Sequence, residues 1–209
     1  MTGAQRTGAV SDTPESAEVV ERAEPFRGAK TAMRVDRFML PGEDGPELVA
    51  REYMVHPGAV VALALDERDR VLMVHQYRHA VGARLWELPA GVRDEEGEPP
   101  LRTAQRELEE ETGHRAEHWF ELADFYPSAG FSTERIQVFL ARGVTEVPQG
   151  QLDYRRVHEE ADMAVEWIPL DDALDAVLAG RLRNGATVIG VLAAATARRD
   201  GYASLRPAG

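Results

Sequence analysis

The chain contains no cysteine among its 209 residues, which excludes disulfide bonds, thiolate metal sites and cysteine nucleophiles. Positive charge is scarce, because 24 Lys and Arg stand against 36 Asp and Glu and give a net charge of -12. This balance argues against sequence-independent binding to nucleic acid, which requires a basic surface. Long hydrophobic runs are missing as well, so no membrane-spanning segment or signal peptide is predicted. The default expectation is a cytoplasmic protein.

The length suits one well-packed domain with a small appended subdomain. Residues 1–30 show no sustained periodicity and are predicted to be a flexible N-terminal tail. Residues 31–57 have a strand-like pattern around the turn "PGEDG" and predict a small N-terminal β subdomain. The main domain is predicted over residues 58–200, and residues 201–209 are predicted to be a C-terminal tail.

Within the main domain, the Val- and Leu-rich segments 59–66 and 70–78 flank the turn "ERD" and predict a hairpin that enters a core sheet. The segment "RLWELPAG" (84–91) is predicted to be a short strand that ends at a Pro-Ala-Gly break. Further strands and two late helices alternate without a regular βαβ rhythm. The predicted fold class is therefore α+β, with a mixed sheet between helices.

The most unusual segment is residues 91–113, "GVRDEEGEPPLRTAQRELEEETG", which contains seven Glu and one Asp. Pro99 and Pro100 suit the first turn of a helix, and Gly113 suits its C-cap. A helix is therefore predicted over residues 99–112.

Three carboxylates of this helix are predicted to share one face. Residues three and four positions apart are neighbours on the surface of a helix. This spacing places Glu107, Glu110 and Glu111 on one face and Glu109 on another. Such a stripe supplies the hard oxygen ligands that Mg²⁺ or Mn²⁺ prefers. The alternative is a solvated helix face, because Glu is a good helix former and surface Glu runs are common. The preceding "PAG" break favours the metal site, since its carbonyls would add a ligand.

The segment resembles the Nudix box, the loop-helix-loop signature of hydrolases that act on nucleoside diphosphates linked to another group. Its fixed positions are matched by Gly91, Glu98, Arg106, Glu107, Leu108, Glu110, Glu111 and Gly113. Two departures are present: six residues instead of five separate Gly91 from Glu98, and His114 replaces the closing apolar residue. Neither departure touches the carboxylate stripe, and a loop insertion costs little.

The resemblance covers roughly residues 35–195 and extends to the ADP-ribose pyrophosphatase branch. The segments that carry it are "HPGAVVALAL", "VHQYRHAVGARLWELPAG", "SAGFSTERIQVFLA" and "HEEADMAVEWIPLDDAL". It implies a Nudix α/β/α sandwich with a mixed sheet. It also implies Mg²⁺-dependent hydrolysis of ADP-ribose to AMP and ribose 5-phosphate, with Mn²⁺ as an alternative ion. Ala129 stands where this branch usually has Pro, which leaves the sugar less certain than the chemistry.

Two other functions stay open at this point. One is the same chemistry on another nucleotide sugar or dinucleotide. The other is a non-catalytic module that senses nucleotides. Such modules usually carry a decayed box, whereas the carboxylates here are intact.

The resemblance implies roles for the residues of the box and of the loop before it. Glu107 and Glu111 are expected to be the principal metal ligands, with Glu111 also counted among the catalytic residues. Glu110 assists, and the carbonyl of Ala90 completes the shell. Glu98 and Arg106 are expected to form a structural pair instead.

The general base is expected on a loop with the sequence "RRVHEEADM" (155–163), where Glu159 and Glu160 are the candidates. The alternative is a pair of exposed loop carboxylates. Four side chains are expected to contact the substrate, with Glu134 also able to face the metal: Arg51, Arg78, Glu87 and Glu134. Arginine forks suit phosphate and ribose oxygens, and a carboxylate would accept from ribose hydroxyls. Each would equally suit a surface or salt-bridge role.

The resemblance also implies a homodimer formed through the N-terminal subdomain, with a small nucleoside diphosphate derivative as the other partner. A hairpin of this size is not stable alone, so it should dock on another surface. The alternative is that it folds back onto its own domain. Nucleic acid and membrane partners are not expected.

Overall fold

A computed structural model of the protein describes residues 10–148, 150 and 163–209. The strands before the acidic helix are β1 (Val19–Arg27), β2 (Ala32–Gly42), β3 (Gly45–Val55), β4 (Ala59–Ala64), β5 (Arg70–Arg78), β6 (Ala83–Glu87) and β7 (Ala90–Val92). After them come α1 (Pro100–Thr112), β8 (His114–Phe125), β9 (Ile136–Glu146), β10 (Ala164–Pro169), α2 (Leu170–Leu178), α3 (Gly185–Ala197) and β11 (Arg206–Pro207).

The N-terminal residues form an antiparallel sheet with the order β1-β2-β3. Strands β2 and β3 are the expected hairpin, with Gly42 opposite Gly45 at its turn. Strand β1 was not predicted, and it corrects the description of residues 1–30 as a tail. Its side chains are all exposed, so it carries no apolar alternation that sequence reasoning could detect.

An ion pair between an exposed arginine of β1 and a buried carboxylate of β2 joins β1 to the hairpin. Arg22 donates to both carboxylate oxygens of Asp36, at 2.7 and 2.8 Å, and the Tyr53 hydroxyl donates to the same carboxylate at 2.8 Å. The hydrogen bonds from Arg22, and then from Tyr53, lower the pKa of Asp36 to about 2. One side chain from each of the three strands therefore takes part in this cluster, which joins β1 to the hairpin.

The main domain contains a five-stranded sheet, β11-β8-β9-β4-β7, and a three-stranded sheet, β10-β5-β6. Strand β4 is parallel to β9 and antiparallel to β7, so the larger sheet is mixed as predicted. The predicted hairpin of residues 59–66 with residues 70–78 is wrong, because β4 and β5 lie in different sheets and share only the bridge between Leu65 and Val71. Both edges of β4 are occupied by β7 and β9, which leaves β5 to pair elsewhere.

Strand β4 is buried on both faces. Val61 and Leu63 belong to the core cluster that includes α2 and α3 residues, whereas Val60 and Ala62 belong to the cluster formed with α1. The sheets are therefore covered by α1 on one side and by α2 and α3 on the other. This is the expected α/β/α sandwich, and it confirms the α+β fold class.

Helix α1 ends where its sequence predicts and begins one residue later, at Pro100. Pro99 is its N-cap, and Gly113 has a φ of 71°, with its N–H bonded to the Glu109 carbonyl at 2.8 Å. His114, which departs from the box pattern, contacts Trp167 edge to face with ring centroids 5.6 Å apart. An aromatic contact therefore takes the place of the usual apolar one.

The C-terminal residues are partly ordered against the sheet, which corrects the description of residues 201–209 as a tail. Strand β11 pairs with β8, and the Ala208 N–H bonds to the Trp119 carbonyl at 2.8 Å. Across the described residues, no helix is both long and apolar enough to cross a membrane.

Candidate active site

A cavity of about 760 Å³ lies beside the box and is lined by residues of its loop and of its helix, and its size suits a nucleotide-sized ligand. Its walls come from β4, β5, β6, β7, α1 and the first turn of α3. The charged and polar residues that line it are Lys30, His56, Gln76, Arg78, Glu87, Asp94, Arg106, Glu107, Glu110, Glu111, Glu134, Arg183 and Asn184.

Two carboxylates of α1 meet the backbone that joins β6 to β7. Glu111, which is 4% exposed, accepts a hydrogen bond from the Ala90 N–H at 2.8 Å. Glu107 lies against the neighbouring residue, because a Cβ added at Gly91 would fall 2.1 Å from its Oε1. The structure therefore brings the two expected principal ligands to one peptide, beside the Ala90 carbonyl predicted to join them.

Gly91 is required at this point by space. A Cβ 2.1 Å from a carboxylate is far closer than atoms approach in proteins, so any side chain at position 91 would displace Glu107. The glycine of the box thus acts by leaving room for a carboxylate.

Arg106 forms ion pairs with two carboxylates of the helix and with one in the loop before it. It bonds to Glu98 at 3.2 Å, to Glu107 at 2.8 Å and to Glu110 at 3.2 Å. The expected pair of Glu98 with Arg106 is confirmed. The hydrogen bond from Arg106, supported by one from the Thr103 hydroxyl, keeps the pKa of Glu98 below its ordinary value. Glu98 is therefore charged and engaged at neutral pH.

Glu109 faces away from this cluster, as the helical spacing predicts. It accepts from Arg115 at 2.6 Å, and this hydrogen bond lowers its pKa. Glu109 is not among the residues that line the cavity.

The donor set fits a divalent cation in chemistry. Glu107 and Glu111 flank one peptide, Glu110 shares the Arg106 guanidinium with Glu107, and carboxylate oxygens are the ligands that Mg²⁺ takes. In the part of the chain that the structure describes, no three acidic or histidine side chains already converge on a metal-sized point. Because Arg106 and Ala90 engage these carboxylates, their oxygens would have to turn toward an ion.

Arg78 and Glu87 form a second charged group in the cavity. Arg78 Nη2 lies 2.7 Å from Glu87 Oε2, and the Glu87 carboxylate also receives a weak hydrogen bond from Gln76 at 3.5 Å. Glu87 is 2% exposed, whereas the Arg78 side chain is nearly half exposed. The buried carboxylate therefore orients the guanidinium at the cavity wall.

Glu134 also lines the cavity, with its Oε1 3.6 Å from Nδ1 of His56. The Gly58 N–H donates to the same His56 nitrogen at 3.1 Å. Sequence reasoning missed His56, Gln76 and Asn184. The Asn-Gly pair at residues 184–185 signals a helix start, but no local pattern places that start at a site.

One predicted residue lies elsewhere, and two others fall outside the described part of the chain. Arg51 is exposed on β3 and does not line the cavity of its own chain, so the structure does not bring it to the other site residues. Glu159 and Glu160 lie outside the described residues.

The comparisons with known proteins agree with this geometry. The family model of the NUDIX domain matches residues 54–187. The ADP-ribose pyrophosphatase of Mycobacterium tuberculosis is 44% identical over 180 residues, covering 86% of this chain and 83% of that protein. The ADP-ribose pyrophosphatase of Bacillus subtilis is 34% identical over 160 residues, covering 77% of this chain and 82% of that protein.

A third relative carries a different name. The methanol dehydrogenase activator of Bacillus methanolicus is 33% identical over 174 residues, covering 83% of this chain and 90% of that protein. A crystal structure of an ADP compounds hydrolase has a similar fold, with a TM-score of 0.68 at 15% identity over 91% of this chain and 99% of that chain. With the carboxylates of the box intact at the wall of the cavity and a family model that spans most of the chain, the protein belongs to the Nudix family of hydrolases.

Proposed function

We propose that the protein hydrolyses the pyrophosphate bond of ADP-ribose and releases AMP and ribose 5-phosphate. The observation that carries the proposal is the meeting of Glu107 and Glu111 at the Ala90–Gly91 backbone, on the wall of a nucleotide-sized cavity. Identity of 44% with an ADP-ribose pyrophosphatase supports this substrate over others. In the reaction a water oxygen bonds to one phosphorus, the bond from that phosphorus to the bridging oxygen breaks, and the other phosphate leaves.

The carboxylates of the box and the arginine of the cavity wall have different roles in this reaction. Glu107, Glu110 and Glu111, with the Ala90 carbonyl, would hold Mg²⁺ or Mn²⁺. When bound, such an ion neutralises adjacent phosphoryl groups and makes a water molecule more acidic. Arg78, oriented by the buried carboxylate of Glu87, donates to phosphate or ribose oxygens.

The substrate is tested with the purified protein and Mg²⁺ on a panel of nucleoside diphosphate derivatives, with AMP and phosphate release read separately. The panel includes GDP-mannose, because GDP-mannose pyrophosphatases are among the more distant relatives at 29% identity. We expect ADP-ribose to give the highest kcat/KM. A higher value for another nucleotide sugar would reassign the substrate, and no hydrolysis of any member would favour a sensing module.

We further propose that Glu159 or Glu160 is the general base. The true base should lower kcat with little change in KM when it is replaced by Gln, because it acts on the attacking water. A loss of about 100-fold is the order expected for removal of a general base. The two single Gln variants, assayed at saturating Mg²⁺, identify it. Wild-type rates in both would move the assignment to Glu134.

The chain is also proposed to form a homodimer through the N-terminal sheet. That sheet exposes several large apolar side chains, which a second copy would cover: Val19, Val20, Phe26, Met39 and Leu48. A closed twofold arrangement would bury them on both subunits. Light scattering should give about twice the chain mass of 23.1 kDa, and a monomer at micromolar concentration would contradict it.

Because Arg51 is exposed on its own subunit, its position is compatible with a contact to the substrate bound by the partner subunit. Mixed dimers of Arg51→Ala with Glu107→Gln test this role, because trans action leaves one site with both lesions and the other with neither. Activity should then recover to about half of the wild-type value. If Arg51 acts within its own subunit, every site carries one lesion and no recovery is observed.

A further inference from the structure

A buried hydroxyl links α3 to the backbone before the box. Thr187 is 0% exposed, and its Oγ1 accepts a hydrogen bond from the Leu88 N–H at 3.1 Å, across 99 positions of sequence. The same hydroxyl lies 3.1 Å from Oδ1 of Asn184, to which it donates. Because Asn184 is the N-cap of α3, and its Oδ1 also accepts from the Thr187 N–H at 2.9 Å, the hydroxyl is held in one orientation.

The segment that receives this bond is the one that contacts the carboxylates. Its three consecutive residues are each bonded to a different element: Leu88 to Thr187 of α3 at 3.1 Å, Pro89 to Ala62 of β4 at 2.8 Å, and Ala90 to Glu111 of α1 at 2.8 Å. The backbone from β6 to β7 is therefore located by three independent contacts. Two of these contacts come from side chains, Thr187 and Glu111, and Thr187 is the one that is not itself a proposed metal ligand, so its substitution removes a contact to the segment without changing a ligand.

Apolar packing alone would keep α3 against this segment. A Cβ at Gly190 would lie 2.6 Å from Leu88 Cδ1, so helix and segment are already in close contact one turn away. Val191 and Ala194 of α3 are buried in the same core cluster as Leu88. The Thr187 hydroxyl is thus not needed to attach the helix, and what it adds is the direction of the Leu88 N–H and the position of the peptides that follow.

We propose that Thr187 is a positioning residue for the metal-binding carboxylates. Acting through Leu88, it holds Ala90 where the Ala90 N–H orients Glu111 and where Glu107 fits against Gly91. The proposal rests on the proposed metal site, but not on the identity of the substrate. Groups that orient metal ligands typically change metal affinity by about 10- to 100-fold when they are removed.

The test compares Thr187→Val, which keeps the shape and removes the hydroxyl, with Thr187→Ser, which keeps the hydroxyl. Thr196→Val is the matched control, because Thr196 lies on the same helix and bonds its hydroxyl to the Leu192 carbonyl at an exposed position. Two readouts are used: Mn²⁺ affinity from electron paramagnetic resonance, and amide hydrogen exchange at Ala90 from NMR. Both are measured well below the unfolding temperature of each variant.

We expect Thr187→Val to weaken Mn²⁺ binding by about 10-fold and to accelerate exchange at Ala90, with Thr187→Ser close to wild type and Thr196→Val unchanged. Wild-type Mn²⁺ affinity and Ala90 exchange in Thr187→Val would overturn the proposal. Equal losses in the Ser and Val variants would also overturn it, because the methyl group and not the hydroxyl would then be responsible. If Thr187→Val does not fold, Asn184→Ala removes the acceptor that orients the hydroxyl, and unchanged Ala90 exchange in that variant refutes the role.

The two proposals fail in different ways. Neither readout uses a substrate, so a wild-type protein that does not hydrolyse ADP-ribose would refute the proposed substrate and leave the role of Thr187 intact. Conversely, ADP-ribose hydrolysis with Mn²⁺ affinity indifferent to Thr187 would refute only the positioning role.

Discussion

Replacing Glu107 or Glu111 by Gln should lower kcat on the order of 100-fold or more, a loss comparable with removal of a main electrostatic group from an active site. The physical reason is the loss of the negative charge that attracts a divalent ion, at the two carboxylates that meet the Ala90–Gly91 backbone. The fold should survive, because Gln has nearly the same volume, and in Glu111→Gln the amide oxygen still accepts from the Ala90 N–H. The measurement is kcat at saturating Mg²⁺, with circular dichroism to verify folding.

The matched control for this pair is Glu109→Gln. Glu109 lies on the same helix and bonds to Arg115, away from the cavity, so its replacement removes an equal charge without touching the site. Near-normal turnover in either site variant would mean that the carboxylate is not a metal ligand. A loss of similar size in Glu109→Gln would mean that net helix charge, and not ligand position, sets the rate.

Gly91→Ala is expected to produce a loss of similar size with only one methyl group added. The new Cβ would lie 2.1 Å from both Oε1 and Cδ of Glu107, so the carboxylate must leave its position beside the backbone. A misplaced ligand weakens both metal binding and positioning of the phosphates, so about 100-fold in kcat/KM is the expected order. The measurement is kcat/KM together with Mn²⁺ affinity.

A double-mutant cycle decides whether the effect passes through Glu107. In Glu107→Ala the obstructing carboxylate is gone, so adding Gly91→Ala should cost little further Mn²⁺ affinity or thermal stability. If the two substitutions are additive in both measurements, the methyl group acts on the backbone itself, and the assigned contact between Gly91 and Glu107 is wrong. Both readouts stay measurable when turnover is very low.

Helix α1 shows how much local sequence can predict. Its start at Pro99 and Pro100, its end at Gly113 and the separation of Glu109 from the other carboxylates all follow from spacings of four residues or fewer. Such signals lie within one element, where the 3.6-residue period and the cap geometry dominate. The Nudix box likewise consists of residue types at fixed spacings along one loop and one helix. For this reason the family and the acidic cluster could be predicted before the structure.

The N-terminal sheet shows where local sequence is insufficient. Strand β1 has no buried face, so its sequence shows no alternation of apolar and polar residues that would predict a strand. The hydrogen bonds from Arg22 to Asp36, which is 14 positions away, join it to the sheet. Segments 59–66 and 70–78 read correctly as strands, but their predicted pairing was wrong. An apolar strand that is buried on both faces does not reveal its neighbours, since each edge is filled by whichever strand the global topology brings there.

The sequence by itself determined the family, the fold class, the acidic helix and the grouping of its carboxylates on one face, because each depends on residue identity at fixed spacing. Only the tertiary structure decided why position 91 excludes a side chain and that Thr187 reaches Leu88 across 99 positions. It also placed Arg78 beside Glu87 and left Arg51 outside the cavity of its own chain. These relations are distances between separate elements, and such distances arise only when the elements pack around a common core.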